Sequence, residues 1–430
     1  MKNKNKLAIF GGSRLILKKF KKFNTYNYKE LNAATKVIKS GNLSQYLGAA
    51  GKYFYGGKFV RTFEKKIEKY FGVKRAIVVN SWTSGLIAAV GSLDVEPGDE
   101  IITAPWTMCA SATAILHWNC IPVFADVEPD TFCIDPASVT KLITKKTKAI
   151  LSIDIAGQSA DMENLKKIAK KYNLKIISDS AQAPGSLYKK KYTGTLADIG
   201  GFSLNYHKHI HTGEGGILVT NNEKLAERIC LIRNHAEAVV SSKQKLNNMI
   251  GYNFRMGEIE AAMGIEQLKK LKSIIRNRQA IAYKISSELK KLKGLDVPKV
   301  RKDCTHVYYM YQMKIDQKKI GVSRDFIHKA LVAEGINCLH TKFANLHLLP
   351  IYQKKIAYGS KGFPWVFNGK KSKVSYKKGI CPVAENLHNN SYLGFELCQF
   401  EMSKQETDLF INAFKKIWSN LEEIKKFLNN

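Results

Sequence analysis

Between Arg75 and Arg233 the chain repeats one pattern, a short apolar run, a turn, then a stretch with apolar residues three or four positions apart. Strands are expected at Ala76–Val79, Glu100–Thr103, Pro122–Asp126, Ala149–Ile155, Lys175–Asp179, Ile199–Leu204 and Gly216–Thr220. Helices are expected at Thr83–Leu93, Met108–Trp118 and Asn164–Tyr172. In the last of these, Leu165, Ile168, Ala169 and Tyr172 share a face, and Lys166, Lys167, Lys170 and Lys171 point away from it. Strands alternating with helices imply an α/β fold with a large, mostly parallel sheet covered on both faces. In such sheets ligands bind beyond the carboxyl ends of the strands.

The texture changes after Met256. Glu258–Arg278 and Gln279–Leu292 read as long helices, Val307–Ile315 as a strand, Arg324–Glu334 as a helix and Lys404–Phe427 as an amphipathic helix. These make a smaller α+β domain. The expected division is 45–255 for the large domain, and 1–44 with 256–430 for the small one. Tyr352–Lys378, rich in Lys, Gly and aromatics, is expected as an ordered loop or insertion that contributes to substrate choice.

Of the 430 residues, 45% are hydrophobic, ample for a large core. No run approaches the ~18 apolar residues of a membrane helix. The apolar stretch of the N-terminus is too short for a signal peptide, because Lys18 to Lys22 recharge the chain at once. A cytoplasmic protein without a membrane partner is expected. The 8 cysteines form no C-x-x-C pair and join no His cluster, so they read as reduced core fillers. The net charge of +33 raises the question of a polyanion. Only ten of the 69 basic residues are Arg, the residue that suits phosphate and base recognition. The lysines spread along helices, as at Lys166 to Lys171 and Lys269 to Lys272. They are read as solvated faces that help attract an anionic small substrate, and no nucleic-acid partner is expected.

Four segments at strand ends or turns carry chemistry. Asn80-Ser81-Trp82-Thr83-Ser84-Gly85 opens a helix, where free N–H groups and the dipole can seat a phosphate. A simple N-cap explains it equally. Asp179, in Ile176-Ile177-Ser178-Asp179-Ser180-Ala181-Gln182, ends a buried strand and needs a cationic or donor partner; a turn Asp capping the next segment is the plain alternative. Lys208 lies in Ser203-Leu204-Asn205-Tyr206-His207-Lys208-His209-Ile210-His211, before the glycine-rich Gly213-Glu214-Gly215-Gly216. Enclosure beside another cation lowers a lysine's pKa and makes it nucleophilic; an ordinary loop lysine fits as well. His207, His209 and His211 would share a face of a strand, but no carboxylate at ligand spacing accompanies them, so no metal is expected. Gly251-Tyr252-Asn253-Phe254-Arg255-Met256 opens a long helix, as a cap, a phosphate contact or an interface.

Taken together, these segments resemble the DegT/DnrJ/StrS family of sugar aminotransferases, which depend on pyridoxal 5′-phosphate (PLP). The strongest parts are Asp179-x-Ala181-Gln182, Ser203-x4-Lys208-x4-Gly213-Glu214-Gly215-Gly216, and Gly251-Tyr252-Asn253-x-Arg255-Met256 continuing to Ala261-Ala262-x-Gly264-x-x-Gln267-Leu268. The resemblance runs from Leu7 to Leu409. It implies the PLP-dependent transferase fold type I, aspartate aminotransferase-like. It further implies that Lys208 holds PLP as a Schiff base and moves protons. Asp179 would pair with the pyridine nitrogen and Gln182 would lie beside the ring hydroxyl. Ser203, Ser81, Thr83 and the backbone at Trp82 would hold the phosphate. Asn253 would reach the phosphate of a neighbouring subunit, making the enzyme a homodimer. Glutamate or glutamine would give the amine, and a keto sugar, usually nucleotide-linked, or a keto-cyclitol would accept it, in polysaccharide or secondary-metabolite synthesis.

Two positions depart from the family pattern. Met108 stands where an aromatic usually covers the PLP ring, so either Met108 or Trp106 is expected there. Trp82 stands where a small residue is usual, and its indole is expected to line or narrow the pocket. Relatives with His at the Schiff-base position are dehydratases; counting back from Gly213 lands on Lys208, which favours transamination. A sugar dehydratase and a non-catalytic regulator are the competing readings.

Overall fold

The computed structural model describes residues 6–242, 249–343 and 345–429. A seven-stranded sheet is built from β1 (Arg75–Val79), β2 (Glu100–Thr103), β3 (Ile121–Phe124), β4 (Thr147–Ile153), β5 (Lys175–Asp179), β6 (Ile199–Ser203) and β7 (Gly216–Thr220), in the order β1-β7-β6-β5-β4-β2-β3. β7 runs antiparallel to β1 and β6; the remaining pairs are parallel. The strands are almost wholly buried, as expected where crossover helices cover both faces. Asp179 and Ser203 are therefore the last residues of adjacent parallel strands and share one end of the sheet.

Both edges of this sheet are closed by side chains rather than by further strands. At β1, the Val78 N–H donates to Glu64 Oε1 (3.0 Å), and Arg233 donates to the Val78 carbonyl (3.1 Å) and to Glu64 (2.7 Å). Glu64 and Arg233 are buried, so their charges match each other and an otherwise open strand. Burial raises the Glu64 pKa, and the guanidinium opposes it. At β3, the Tyr376 hydroxyl donates to the Pro122 carbonyl (2.7 Å) and accepts from Trp365 Nε1 (2.8 Å), while Tyr358 donates to the Leu116 carbonyl (3.1 Å) on the preceding helix.

The segment Tyr352–Lys378 is thus ordered and covers the β3 edge. It includes the hairpin Val366–Phe367 with Lys370–Lys371. That hairpin shares a cleft with Gly98, Asp99, Ile121 and Lys146, at the amino ends of β2, β3 and β4. It is therefore at the opposite end of the strands from Asp179, and the expected part in substrate choice does not extend to it.

A second, antiparallel sheet orders Leu295–Asp296, Tyr311–Ile315, Tyr392–Phe395 and Leu339–His340. Its core also takes in Leu7, Ile16 and Phe20 from the N-terminal segment. The two expected helices after Met256 are one continuous helix, Glu258–Leu289, and the C-terminal helix is two, Lys404–Ser419 and Leu421–Asn429. The strand expected from Val307 begins only at Tyr311, because Val307 and Met310 donate their N–H groups to the Gly157 and Ala156 carbonyls beside β4. That diversion ties the smaller sheet to the larger one.

Replacing Arg233 with Met while Glu64 remains is expected to cost about 3–5 kcal/mol, because a buried charge is left unmatched. Urea unfolding checks this, and the double replacement Glu64→Leu with Arg233→Met should cost less than the single one.

Candidate active site

At the carboxyl ends of β4, β5 and β6 lies a cavity of about 310 Å³. Of the residues singled out from sequence, Ser81, Trp82, Thr83, Met108, Asp179, Gln182, Ser203 and Lys208 all line it. Asn253 does not. It is exposed, and its carbonyl accepts from the Asn80 side chain at 3.4 Å.

The phosphate-seat candidate is the start of the helix Trp82–Gly91. Ser81 is its N-cap, with Oγ accepting from the Ser84 N–H (3.1 Å). The capping role is thus filled, and the first-turn N–H groups of Trp82 and Thr83 still have no intrahelical acceptor. Gly216 explains the glycine-rich turn after Lys208. A Cβ there would come within 2.7 Å of the Ser81 and Trp82 backbone, so only glycine lets β7 approach the helix start.

Asp179 is 5% exposed and is matched by neutral donors. Trp82 Nε1 donates to Oδ1 (2.7 Å), the Ala181 N–H donates to the same oxygen (3.2 Å), and Ser111 Oγ donates to Oδ2 (2.7 Å). A carboxylate oxygen accepts about two hydrogen bonds. Oδ1 is therefore filled and Oδ2 retains an acceptor position. The Trp82 indole fits because position 201 is glycine; a Cβ there would lie 2.2 Å from the ring. Trp82 thus lines the floor of the pocket, as expected.

Behind Asp179 a second carboxylate, Asp154, is fully buried. It accepts from the Ala160 N–H (2.8 Å), from Ser178 Oγ (2.7 Å) and from Ser180 Oγ. Its backbone N–H donates to the Asp179 carbonyl (3.0 Å). Burial pushes its pKa up to about 6.

Lys208 is 8% exposed, and its Nζ sits 4.3 Å from the centroid of the Tyr309 ring. Burial lowers its pKa from the ordinary lysine value. It therefore differs from the solvated lysines elsewhere. Gln182 spends its Oε1 on the Ala156 N–H (2.7 Å), which leaves its amide nitrogen as a donor. His207 also lines the cavity; burial first, then Lys208, lower its pKa to about 4. His209 turns away to the Val307 carbonyl (2.9 Å), and His211 packs against Tyr26. Among the described residues no group of three His, Cys, Asp or Glu could hold a metal ion.

Met108, not Trp106, borders the cavity. Trp106 is fully buried against Phe132, Phe343 and Tyr392 and does not reach it. The smaller sheet supplies a wall that sequence reasoning missed, with Tyr309, Met310 and Glu396 joined by Phe343. The His340 side chain, paired with Glu396 at 3.6 Å, is the main cause that lowers the Glu396 pKa. Ser111 was missed too; its only signal was a hydroxyl among the alanines of Ala110–His117.

A buried amine, a carboxylate with one open acceptor position and a helix start with free N–H groups now face one cavity. The model of the DegT/DnrJ/EryC1/StrS aminotransferase family matches residues 40–370. The chain belongs to this family. It is 32% identical over 355 residues, 81% of this chain and 88% of the relative, to the spore coat polysaccharide biosynthesis protein SpsC of Bacillus subtilis. It is 34% identical to the GDP-perosamine synthase of Caulobacter vibrioides, covering 69% of this chain and 79% of that one. The aminotransferase structure from Psychrobacter cryohalolentis superposes with a TM-score of 0.78 at 26% identity, covering 94% of this chain and 100% of that one.

This member of the family is an aminotransferase whose cofactor is pyridoxal 5′-phosphate, and the cavity fits that group. The free N–H groups at the start of the helix would suit a phosphate, the open position on Asp179 would suit a ring N–H, and the buried Lys208 amine would suit the cofactor's aldehyde.

Asp154 makes stability depend on pH. Its folded pKa lies above the value in an unfolded chain, so the protonated form favours folding. The contribution is complete below about pH 4 and is lost as pH rises through 6, on the order of 2–3 kcal/mol. The difference in unfolding free energy between the native chain and Asp154→Asn, measured from pH 4 to 7, is expected to trace that loss.

Proposed function

We propose that this enzyme transfers an amino group from glutamate or glutamine to a keto sugar, carried on a nucleotide, in cytoplasmic synthesis of a surface polysaccharide. The observation that carries the reading is the buried Lys208 amine in one cavity with Asp179 and the helix start at Ser81. The named relatives act in spore coat polysaccharide and GDP-perosamine synthesis, which supports the sugar as acceptor.

The residues divide the work as follows. Ser81, Thr83, Ser203 and the backbone at Trp82 hold the phosphate. Asp179 would receive the ring N–H on its open oxygen, and Trp82 with Ser111 holds that carboxylate in place. Gln182, with its amide nitrogen free, would donate to the ring hydroxyl, and Met108 would lie against the ring. When bound, the cofactor accepts the electron pair of the bond broken at the amine-bearing carbon. Lys208 would take up and return the proton at that carbon, and burial, by lowering its pKa, leaves more of the amine neutral and able to accept it. Tyr309 and Met310 limit the water that reaches it.

One chain leaves the arrangement incomplete, because Asn253 is exposed and does not line its own cavity. In this reading Asn253 of the partner subunit completes the phosphate seat, in a homodimer. Leu43, Leu47 and Tyr53, large apolar residues left exposed, suit such a contact. The division into 45–255 and 1–44 with 256–430 belongs to the same reading and is supported by the two separate sheets, although Tyr352, Trp365 and Tyr376 of the second stretch pack in the core of the first.

Borohydride reduction of the PLP-loaded enzyme is expected to fix the cofactor on Lys208, and Lys208→Ala should lower amine transfer by about 10³-fold or more. Label on another residue would overturn the assignment. The pyridoxamine form, mixed with nucleotide-linked keto sugars and keto-cyclitols, should return to the pyridoxal form with the sugars; loss of water without amine transfer would mark a dehydratase instead.

Mixing inactive Lys208→Ala subunits with Asn253→Ala subunits is expected to restore activity, since half the random dimers then hold one intact site, about a quarter of all sites. No recovery would place Asn253 outside the partner's site.

A further inference from the structure

The segment that closes the β3 edge has a charge that neither the fold nor the reaction uses. All 36 acidic residues of the chain lie outside 335–384, a stretch that holds nine lysines. None of the nine is ion-paired among the described residues, although lysines elsewhere pair often. Eight of them are exposed. The ninth, Lys355, is spent on the Val374 carbonyl, and its pKa is lowered by burial first and by Lys371 second. Unneutralised like charges repel one another.

The charge is organised around a defined tip. Val366 pairs with Lys371 and Phe367 with Lys370, across a turn at Asn368 (φ 47°) and Gly369 (φ 71°). Two positive φ values are the mark of a tight type I′ hairpin. Val366 and Phe367, both apolar, are partly exposed on its two opposite faces, 37% and 38%. Trp365, 1% exposed and hydrogen-bonded to Tyr376, anchors its base. Lys146 adds another cation in the same cleft. The tip thus sets Phe367 beside Lys370, Lys371 and Lys146, with Asp99 the one acidic residue in the same cleft.

We propose that this hairpin face docks the enzyme on an anionic lipid bilayer. Lysine ammonium groups are attracted to the anionic headgroup layer, and Phe367, beside the turn, enters its boundary. The contact is peripheral: no described helix is long and apolar enough to cross a membrane. A nucleic acid fits less well, because the segment contains no Arg for bidentate phosphate or base contacts. A second copy of the chain fits less well still, since a two-fold contact would set lysines against lysines. The geometry also leaves the reaction free. The hairpin sits at the amino ends of strands whose carboxyl ends carry the cavity, roughly 15–20 Å away along the strands.

The test is co-sedimentation of the PLP-loaded enzyme with vesicles of phosphatidylcholine alone, or with a quarter of phosphatidylglycerol. Binding is expected only to the anionic vesicles, and should weaken at least about tenfold when salt is raised to shorten the screening length. The triple variant Lys370→Glu, Lys371→Glu, Lys373→Glu should lose binding, and Phe367→Ser should weaken it several-fold, with amine transfer in solution unchanged in both. Equal binding to neutral vesicles would overturn the proposal. So would binding unaffected by Phe367→Ser and matched by a charge-equivalent RNA, which would mean general adhesion to polyanions. Unaltered binding by the triple variant would place the contact elsewhere and also overturn it. None of these outcomes bears on amine transfer at Lys208.

Discussion

An ionised carboxylate at the end of a strand buried on both faces is costly unless donors surround it, and Asp179 stands at such a place. The surrounding structure is arranged to meet that requirement. Trp82 reaches it from the helix after β1, Ser111 from the helix after β2, and the Ala181 N–H from its own turn. Three chain segments far apart in sequence converge on one side chain. Their convergence fixes where the helix start at Ser81 lies relative to β5, and so where a phosphate and a ring nitrogen can both be met. Asp154 repeats the arrangement one layer back, holding Ser178 and Ser180 on either side of Asp179.

The smaller sheet matters to the site through one irregular passage. Residues 307–310 were expected to be strand, yet Val307 and Met310 bond to the loop after β4 instead. This carries Tyr309 and Met310 over the cavity, where Tyr309 covers the Lys208 amine. The same enclosure lowers the proton affinity of Lys208, so packing between the two sheets is also what prepares the amine for chemistry. Glu396, at the end of the strand Tyr392–Phe395, reaches the cavity from the same side.

Much of the site was legible because its residues stand where one strand ends and the next segment turns. Asp179, Gln182, Ser203 and Lys208 follow apolar runs that can only be interior strands, so their positions follow from the alternation. Ser111 and Glu396 were not legible in that way. Each is a single polar residue in a segment whose local pattern is explained by burial alone. Met108 and Trp106 could not be told apart from sequence, since both adjoin the same turn; the aromatic cluster of Phe132, Phe343 and Tyr392 claims Trp106. The lysine-rich segment was expected near the substrate, but the open edge of β3 draws it down the side of the sheet.

The amino-acid sequence by itself determined the alternating elements, the residues at the strand ends and the family to which they point. Hydrophobic periodicity and turn chemistry are local, and a strand must bury its apolar residues wherever it lies. Only the tertiary structure decided which donors meet Asp179, which wall encloses Lys208 and where Tyr352–Lys378 goes. Those outcomes depend on hydrogen bonds and packing between segments up to a few hundred residues apart, for which no local pattern leaves a trace. Asn253 marks the boundary between the two: its motif is plain in the chain, while the fold leaves it exposed, outside the cavity.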